Sequence, residues 1–217
     1  MGLITVREVD WAAVDARTAG SLDKTKATIF AKKGKPDRWI ECLVYAPDGK
    51  YLGIGSHDKT VYLYETKGYK KEIKLTGHSS YISCLDWAQD SSFIRTVCGA
   101  YELLFFNVGS KKRDPSGATN TIETVWADHM CKFGWCVNGI FPSGTDGSHI
   151  NSVAMSKDQK LIASGDDWGL LCVYRNPICL VEKGQKEHES DKYRGHSEFV
   201  TRVKFSPDNQ YIFTAGG

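Results

Sequence analysis

The sequence predicts an all-β fold, a β-propeller with about four recognisable blades, and three observations carry that expectation. A unit of apolar strand, polar turn centred on aspartate, and second apolar strand ending in glycine recurs four times. The turn residues Asp48, Asp90, Asp158 and Asp208 stand 42, 68 and 50 residues apart. The first spacing matches the ~40–45-residue period of a four-stranded blade, and the other two are that period with added loop. No stretch carries a sustained 3.6-residue apolar stripe, so almost no helix is expected.

The repeats begin at Ile40, Ile82, Ile150 and Val200 and close on Gly55, Gly99, Gly165 and Gly216. In IECLVY (40–45) and ISCLDW (82–87) both alternating faces are apolar, with Leu43 and Tyr45, then Leu85 and Trp87, supplying the second face. A strand of that kind has to be covered on both sides, which radially stacked sheets achieve. Pro47-Asp48-Gly49 reads as a turn: proline presets φ, aspartate bonds nearby backbone, and glycine accepts positive φ. Val61–Glu65, Leu103–Asn107 and Leu171–Arg175 read as the fourth strand of their units.

These patterns place the units at about 25–65, 72–107, 121–175 and 193–217, with an insertion at 108–149. Residues 3–9 read as a lone outer fourth strand, and Tyr211–Gly217 as a third strand. Seven blades need roughly 300 residues, so the expectation is part of a larger, seven-bladed propeller. The alternative is a small ring in which 3–9 lies beside 211–216.

Composition narrows the function. The 217 residues carry 28 Lys+Arg against 26 Asp+Glu, a balance that argues against a strongly basic nucleic-acid binder. With 41% apolar and 12% aromatic residues, the chain has the makings of a packed core. No apolar run approaches the ~18 residues of a membrane helix, and neither a secretory nor a myristoylation signal opens the sequence. The seven cysteines are an odd number, and Cys42, Cys84 and Cys172 sit within apolar runs. They read as reduced, buried thiols of a cytosolic protein.

Gly77-His78 and Gly195-His196 each precede a repeat, as in WD-type propellers, although no Trp-Asp dipeptide occurs. His78, His196 and the turn residue Asp58 are therefore read as structural. At this point the sequence resembles the C-terminal propeller of the echinoderm microtubule-associated protein-like family. The resemblance rests on Trp126-Ala127, Phe133-Gly134, GIFPSGTDGSHIN (139–151) and LIASGDDWG (161–169). It also rests on IGSHDKTVYLY (54–64), GHSSYISCLDW (77–87), YELLFFN (101–107) and GHSEFVTRVKF (195–205). It covers about residues 38 to 217. Ala100 departs from it, standing where the family has an aspartate before Tyr-Glu. The resemblance implies a WD-repeat scaffold with protein partners, tubulin or microtubules among them, and a cytoplasmic, cytoskeleton-associated location. It also implies a coiled coil, basic linker and first propeller outside this stretch.

Catalytic and metal chemistry are not expected. His129, Cys131 and Cys136 have a cysteine spacing outside the usual zinc hook and no second pair. Asp166-Asp167 and Asp146 read as turn carboxylates, and no nucleophile elbow or phosphate loop occurs. No cofactor is expected. Lys32-Lys33-Gly34-Lys35 and Lys111-Lys112-Arg113 read as solvated loops, with an acidic partner as the sharper reading. The residues just before each repeat, Trp39, Tyr81, His149 and Phe199, fall on one rim of a propeller, where aromatics are common partner anchors. Two functions follow: a cytoskeletal interaction scaffold, or a generic WD-repeat adaptor of another cytosolic or nuclear complex.

Overall fold

The doubly apolar segments fold as three four-stranded antiparallel sheets flanked by two strand pairs. They are described over residues 3–7, 25–30, 39–141, 149–178 and 188–217 of a computed structural model. A pair, β1 (Leu3–Arg7) and β2 (Thr25–Phe30), comes first. The first full sheet follows as β3 (Ile40–Tyr45), β4 (Tyr51–Ser56), β5 (Val61–Glu65) and β6 (Lys70–Leu75). The second is β7 (Ile82–Trp87), β8 (Phe93–Cys98), β9 (Leu103–Asn107) and β10 (Lys112–Arg113). The third is β11 (Ile150–Met155), β12 (Leu161–Asp166), β13 (Leu170–Arg175) and β14 (Asp191–Arg194). A last pair, β15 (Val200–Phe205) and β16 (Ile212–Gly216), ends the series. Each full sheet is an up-and-down meander in sequence order, the plan of a propeller blade.

The repeat is geometric as well as textual. The leading strand of every unit shifts register at the same place, after Ile40, Ile82, Ile150 and Val200. Every first turn puts one residue at positive φ: Gly49, Ser91, Gln159 and Asn209. The carboxylate before each accepts a backbone N–H two residues on, Lys50, Ser92, Lys160 and Gln210, at 3.0–3.2 Å. The aspartate bond holds the turn, so three of the four units tolerate a non-glycine residue in the left-handed region.

Strand positions differ from expectation in one respect. The segments read as fourth strands, β5, β9 and β13, are third strands, and β6, β10 and β14 lie outside them. Those outer strands are short or lysine-rich, so periodicity does not mark them. The strand expected alone at the N-terminus is likewise paired. β1 runs antiparallel to β2, and Ile4 packs on Leu52, Ile54 and Tyr62. The small-ring alternative is not what forms. Among the described residues β1 pairs with β2 and β16 with β15, not with each other.

Packing follows from that arrangement. Val61, Leu63, Ile82, Leu85, Trp87 and Phe106 form the main core between the first two sheets. Gly53 gives room for Leu85, whose side chain would lie 3.2 Å from an added Cβ. Ile4 and Val6 of β1 join a cluster with β4, β5 and Ile40, the first residue of the leading strand. Leu43 and Tyr45, expected to be covered, are about half exposed, whereas their repeat equivalents Leu85 and Trp87 are fully buried.

The insertion expected at 108–149 begins only after β10, and from there to the third sheet the chain is a wedge. Its described part holds a single helical turn, Gly117–Asn120, and a 3-10 helix, Trp135–Ile140. On one side Met130, Cys131 and Phe133 pack on Cys84, Val97 and Leu103 of the second sheet. On the other, Val137 and Ile140 pack on Ile150, Val153 and Ile162 of the third. Trp126 bridges Ala88 at the end of β7, and Phe133 stacks on Phe141 at 5.6 Å.

Candidate functional site

One backbone contact recurs four times and defines an end of the molecule. The N–H groups of His57, Gly99, Asp167 and Gly217 donate to the carbonyls of Trp39, Tyr81, His149 and Phe199, at 2.8–3.1 Å. The turn after each second strand is thereby tied to the residue that opens its unit. These four residues hold equivalent places at one end of their sheets.

Their side chains do different things. Trp39 is 64% exposed and tilts onto the His57 ring at 5.7 Å, and His57 stacks on Tyr81 at 4.6 Å. His57 also meets the Glu41 carboxylate at 3.1 Å. Tyr81 lies flat over Gly99, where an added Cβ would come within 2.3 Å of the ring. His149 does not present itself to solvent. It is 7% exposed, and Trp168, 61% exposed, covers it at 5.0 Å. The exposed aromatic at that end of the third sheet is thus Trp168, which sits inside a turn. Its signal was Asp-Asp-Trp-Gly, an exposed-turn pattern carrying an aromatic that a turn does not require.

Tyr81, Tyr101 and Phe199 line one cavity of about 490 Å³, together with the leading-strand residues Glu41, Ser83, Asn151 and Thr201. Each of these last four is the second residue of its strand, so the leading strands of all four units face a common opening. Charge at the mouth is mixed, with Glu41 and Asp167 against Lys132 and Arg202. Lys132 donates to the carbonyl of Ile150 at 2.6 Å, and burial pulls its ammonium below the usual lysine value. Trp39 and His149 are not part of this lining.

The two Gly-His pairs make the same bond. The Nε2 atoms of His78 and His196 lie 2.7 and 2.9 Å from the hydroxyls of Thr96 and Thr214, one strand further in the same sheet. Asp58 accepts a hydrogen bond from the Tyr62 hydroxyl. Where Ala100 removes the corresponding aspartate, Glu102 stands in. Its carboxylate accepts from the Ser79 N–H at 2.8 Å and from the Cys98 thiol at 3.3 Å. These bonds, the Ser79 N–H first, hold Glu102 down to about 2.

A buried charge network pins the wedge. Asp86 and Arg95 are direct cross-strand partners on β7 and β8, both buried, at 3.0 Å. Asp86 also accepts the N–H groups of Met130 and Cys131, at 2.7 and 3.0 Å. Arg95 donates to His129 Nδ1 at 2.8 Å and lies over the Trp126 ring at 4.3 Å. Burial alone would push the guanidinium down, and the Asp86 charge more than offsets it. Burial, then Arg95, holds His129 well below the usual histidine value. His129 Nε2 faces Cys136 Sγ at 3.6 Å, while Cys131 turns to Cys84. The three residues weighed as metal ligands are thus split, and a fixed guanidinium sits against the only histidine among them.

The turn carboxylates behave locally: Asp166 accepts the N–H groups of Trp168 and Leu170, and Asp167 the side-chain amide of Asn151. Lys111, Lys112 and Arg113 are exposed at the outer edge of the second sheet. Lys32, Lys33, Lys35 and Asp146 lie outside the described residues. Among the described residues, no helix is long and apolar enough to cross a membrane.

The family model described as "Echinoderm microtubule-associated protein second beta-propeller" matches residues 9–217. The chain belongs to this family. Among curated relatives, the ciliary WD repeat-containing protein ctxp80 of Euplotoides octocarinatus is 47% identical over 91% of the chain. Echinoderm microtubule-associated protein-like 2 of Rattus norvegicus is 42% identical over 90% of it. The 77 kDa echinoderm microtubule-associated protein of Lytechinus variegatus is 34% identical over 80%. The chain spans 26%, 30% and 26% of these three proteins. A chain of the crystal structure of the mitotic checkpoint complex superposes with a TM-score of 0.52 at 18% identity, covering 99% of this chain and 53% of that one. That likeness supports the propeller fold alone.

Proposed function

We propose that this chain is a non-enzymatic interaction module of a microtubule-associated WD-repeat scaffold, binding through the aromatic end of its blades. The observation that supports the reading is the cavity of about 490 Å³ that Tyr81 and Phe199 line together with the second residue of every leading strand. Tyr81 and Phe199 are the anchors at the mouth, with Trp39 beside them on the His57 stack and Trp168 in place of His149. Exposed aromatics around a concavity suit a protein partner, because each buries a large area for few torsions. Family membership and the microtubule-associated relatives point to tubulin or microtubules as that partner, and to a cytoplasmic, cytoskeleton-associated location.

In this reading His78, His196 and Asp58 shape their blades and do not meet the partner. Further blades of a parent propeller complete the ring, since three full sheets and two strand pairs fall short of the ~300 residues that seven blades need. The test is co-sedimentation of the chain with polymerised microtubules, alongside a Tyr81→Ala/Phe199→Ala version. A wild-type chain that pellets and a variant that stays soluble supports the proposal. If both pellet equally, the rim is not the contact. If neither pellets, the generic adaptor reading takes over for this module.

A further inference from the structure

Three donor groups of the second sheet converge at the end opposite to its aspartate turn. His78 precedes β7, Cys98 ends β8 and Glu102 precedes β9. One donor atom from each lies within 4.8 Å of the others. The His78 side chain is fully buried, and its Nδ1 makes no hydrogen bond. Its Nε2 is committed to the Thr96 hydroxyl at 2.7 Å. Nδ1 faces Glu102 Oε2 across 3.6 Å, beyond hydrogen-bond reach. The same carboxylate oxygen lies 3.3 Å from Cys98 Sγ.

We propose that His78 Nδ1, Cys98 Sγ and a Glu102 carboxylate oxygen form a binding site for one zinc-class divalent cation. The donor set fits such an ion. Imidazole, thiolate and carboxylate are its usual ligands at ~2.0–2.3 Å, which puts tetrahedral donors about 3.3–3.8 Å apart. Two of the three donor separations already fall in that range. The Thr96 hydroxyl holds the distal imidazole nitrogen, as an outer partner does for a ligating histidine. The Thr96 contact at Nε2 leaves the buried Nδ1 without a hydrogen bond, facing a carboxylate oxygen at 3.6 Å, and a cation between them would engage both. On binding, the Cys98 thiol releases its proton to solvent and the thiolate takes its place in the coordination. Glu102 is at the surface, so water fills the fourth position and gives the ion its entry path.

Such a site would tie the Gly-His loop to the β8–β9 turn, where Ala100 has removed the aspartate. The first sheet has Ser56 and Thr60 at the matching positions and no Gly-His pair, so the donor set belongs to the second sheet.

The experiment is titration of the reduced, chelator-stripped whole chain with Zn²⁺ and, for its spectrum, Co²⁺. One equivalent should bind with at least micromolar affinity, the melting temperature should rise, and Co²⁺ should show tetrahedral ligand-field bands with a thiolate charge-transfer band. Cys98→Ser keeps a hydroxyl for Glu102, and should abolish the thiolate band and weaken Zn²⁺ by at least ~10-fold. Thr96→Val should weaken it ~10–100-fold. Glu102→Gln, changed at the surface, gives the same loss of binding if Cys98→Ser fails to fold. Cys136→Ser, which touches the separate His129 contact, should change nothing. The proposal is overturned if no saturable binding occurs, or if the thiolate band survives Cys98→Ser and disappears with Cys136→Ser.

Discussion

Replacing Asp86 by alanine should remove a large share of the stability of this module. The carboxylate is fully buried and has three dependants: the Arg95 guanidinium and the N–H groups of Met130 and Cys131. Without it Arg95, whose side chain is 4% exposed, is an uncompensated interior charge. Breaking a buried pair from one side costs about 3–5 kcal/mol. Each amide left without an acceptor adds about 1–3 kcal/mol unless water reaches it. Water entering as the wedge loosens will limit the sum, so a loss on the order of 4–6 kcal/mol is expected. Domains hold ~5–15 kcal/mol in total, so this is roughly a quarter of the total or more. Urea unfolding followed by tryptophan fluorescence is the assay, because Trp87 and Trp126 border the network. Asp86→Leu/Arg95→Met, which removes both charges, should recover part of the loss but not the share of the two amides. A single Asp86→Ala variant within about 1.5 kcal/mol of the parent would show that the wedge is not held by this network.

Other expectations are smaller in scale. His78→Ala should lower the melting temperature by the equivalent of a lost buried hydrogen bond, ~1 kcal/mol or more, and an unchanged melting point would count against its place in the blade. His129, between Arg95 and Cys136, titrates lower folded than unfolded. Its contribution is complete above the unfolded value near ~6.5 and is lost as pH falls below it, by up to about 1.4 kcal/mol per pH unit. His129→Gln should flatten that part of a melting-temperature profile, and an unchanged slope would place the proton uptake elsewhere. Gly99→Val should displace Tyr81, because an added Cβ meets the ring at 2.3 Å. Microtubule binding should therefore fall, with the far turn at Asp90 unaffected by hydrogen exchange.

The repeated turns and inner strands of this molecule were legible in its sequence, and the outer strands and the wedge were not. The aspartate turns could be read because four copies share one physical solution, a side-chain bond that stabilises positive φ. The outer strands β6 and β14, KKEIKL and DKYR, could not. They face solvent, so their composition follows exposure and carries no strand period. The rim was half legible: Trp39, Tyr81 and Phe199 are exposed as a shared repeat position suggests. His149 is covered because the neighbouring turn carries Trp168, a neighbour that spacing does not reveal. The Asp86–Arg95 pair carried a usable signal, opposite charges in apolar strands on either side of a hairpin. Its partner segment, 126–136, lies beyond reach of any period because it belongs to the wedge and not to a blade.

The central claim is that the aromatic end, and not the aspartate-turn end, meets the partner. Hydrogen exchange of the chain, free and bound to tubulin or microtubules, tests it most directly. The account predicts slowed exchange at 39–41, 57–59, 81–83, 99–101, 167–169 and 199–201, with the turns at Asp48, Asp90, Asp158 and Asp208 unchanged. Protection confined to those turns, or to the Lys111–Arg113 edge, would contradict it.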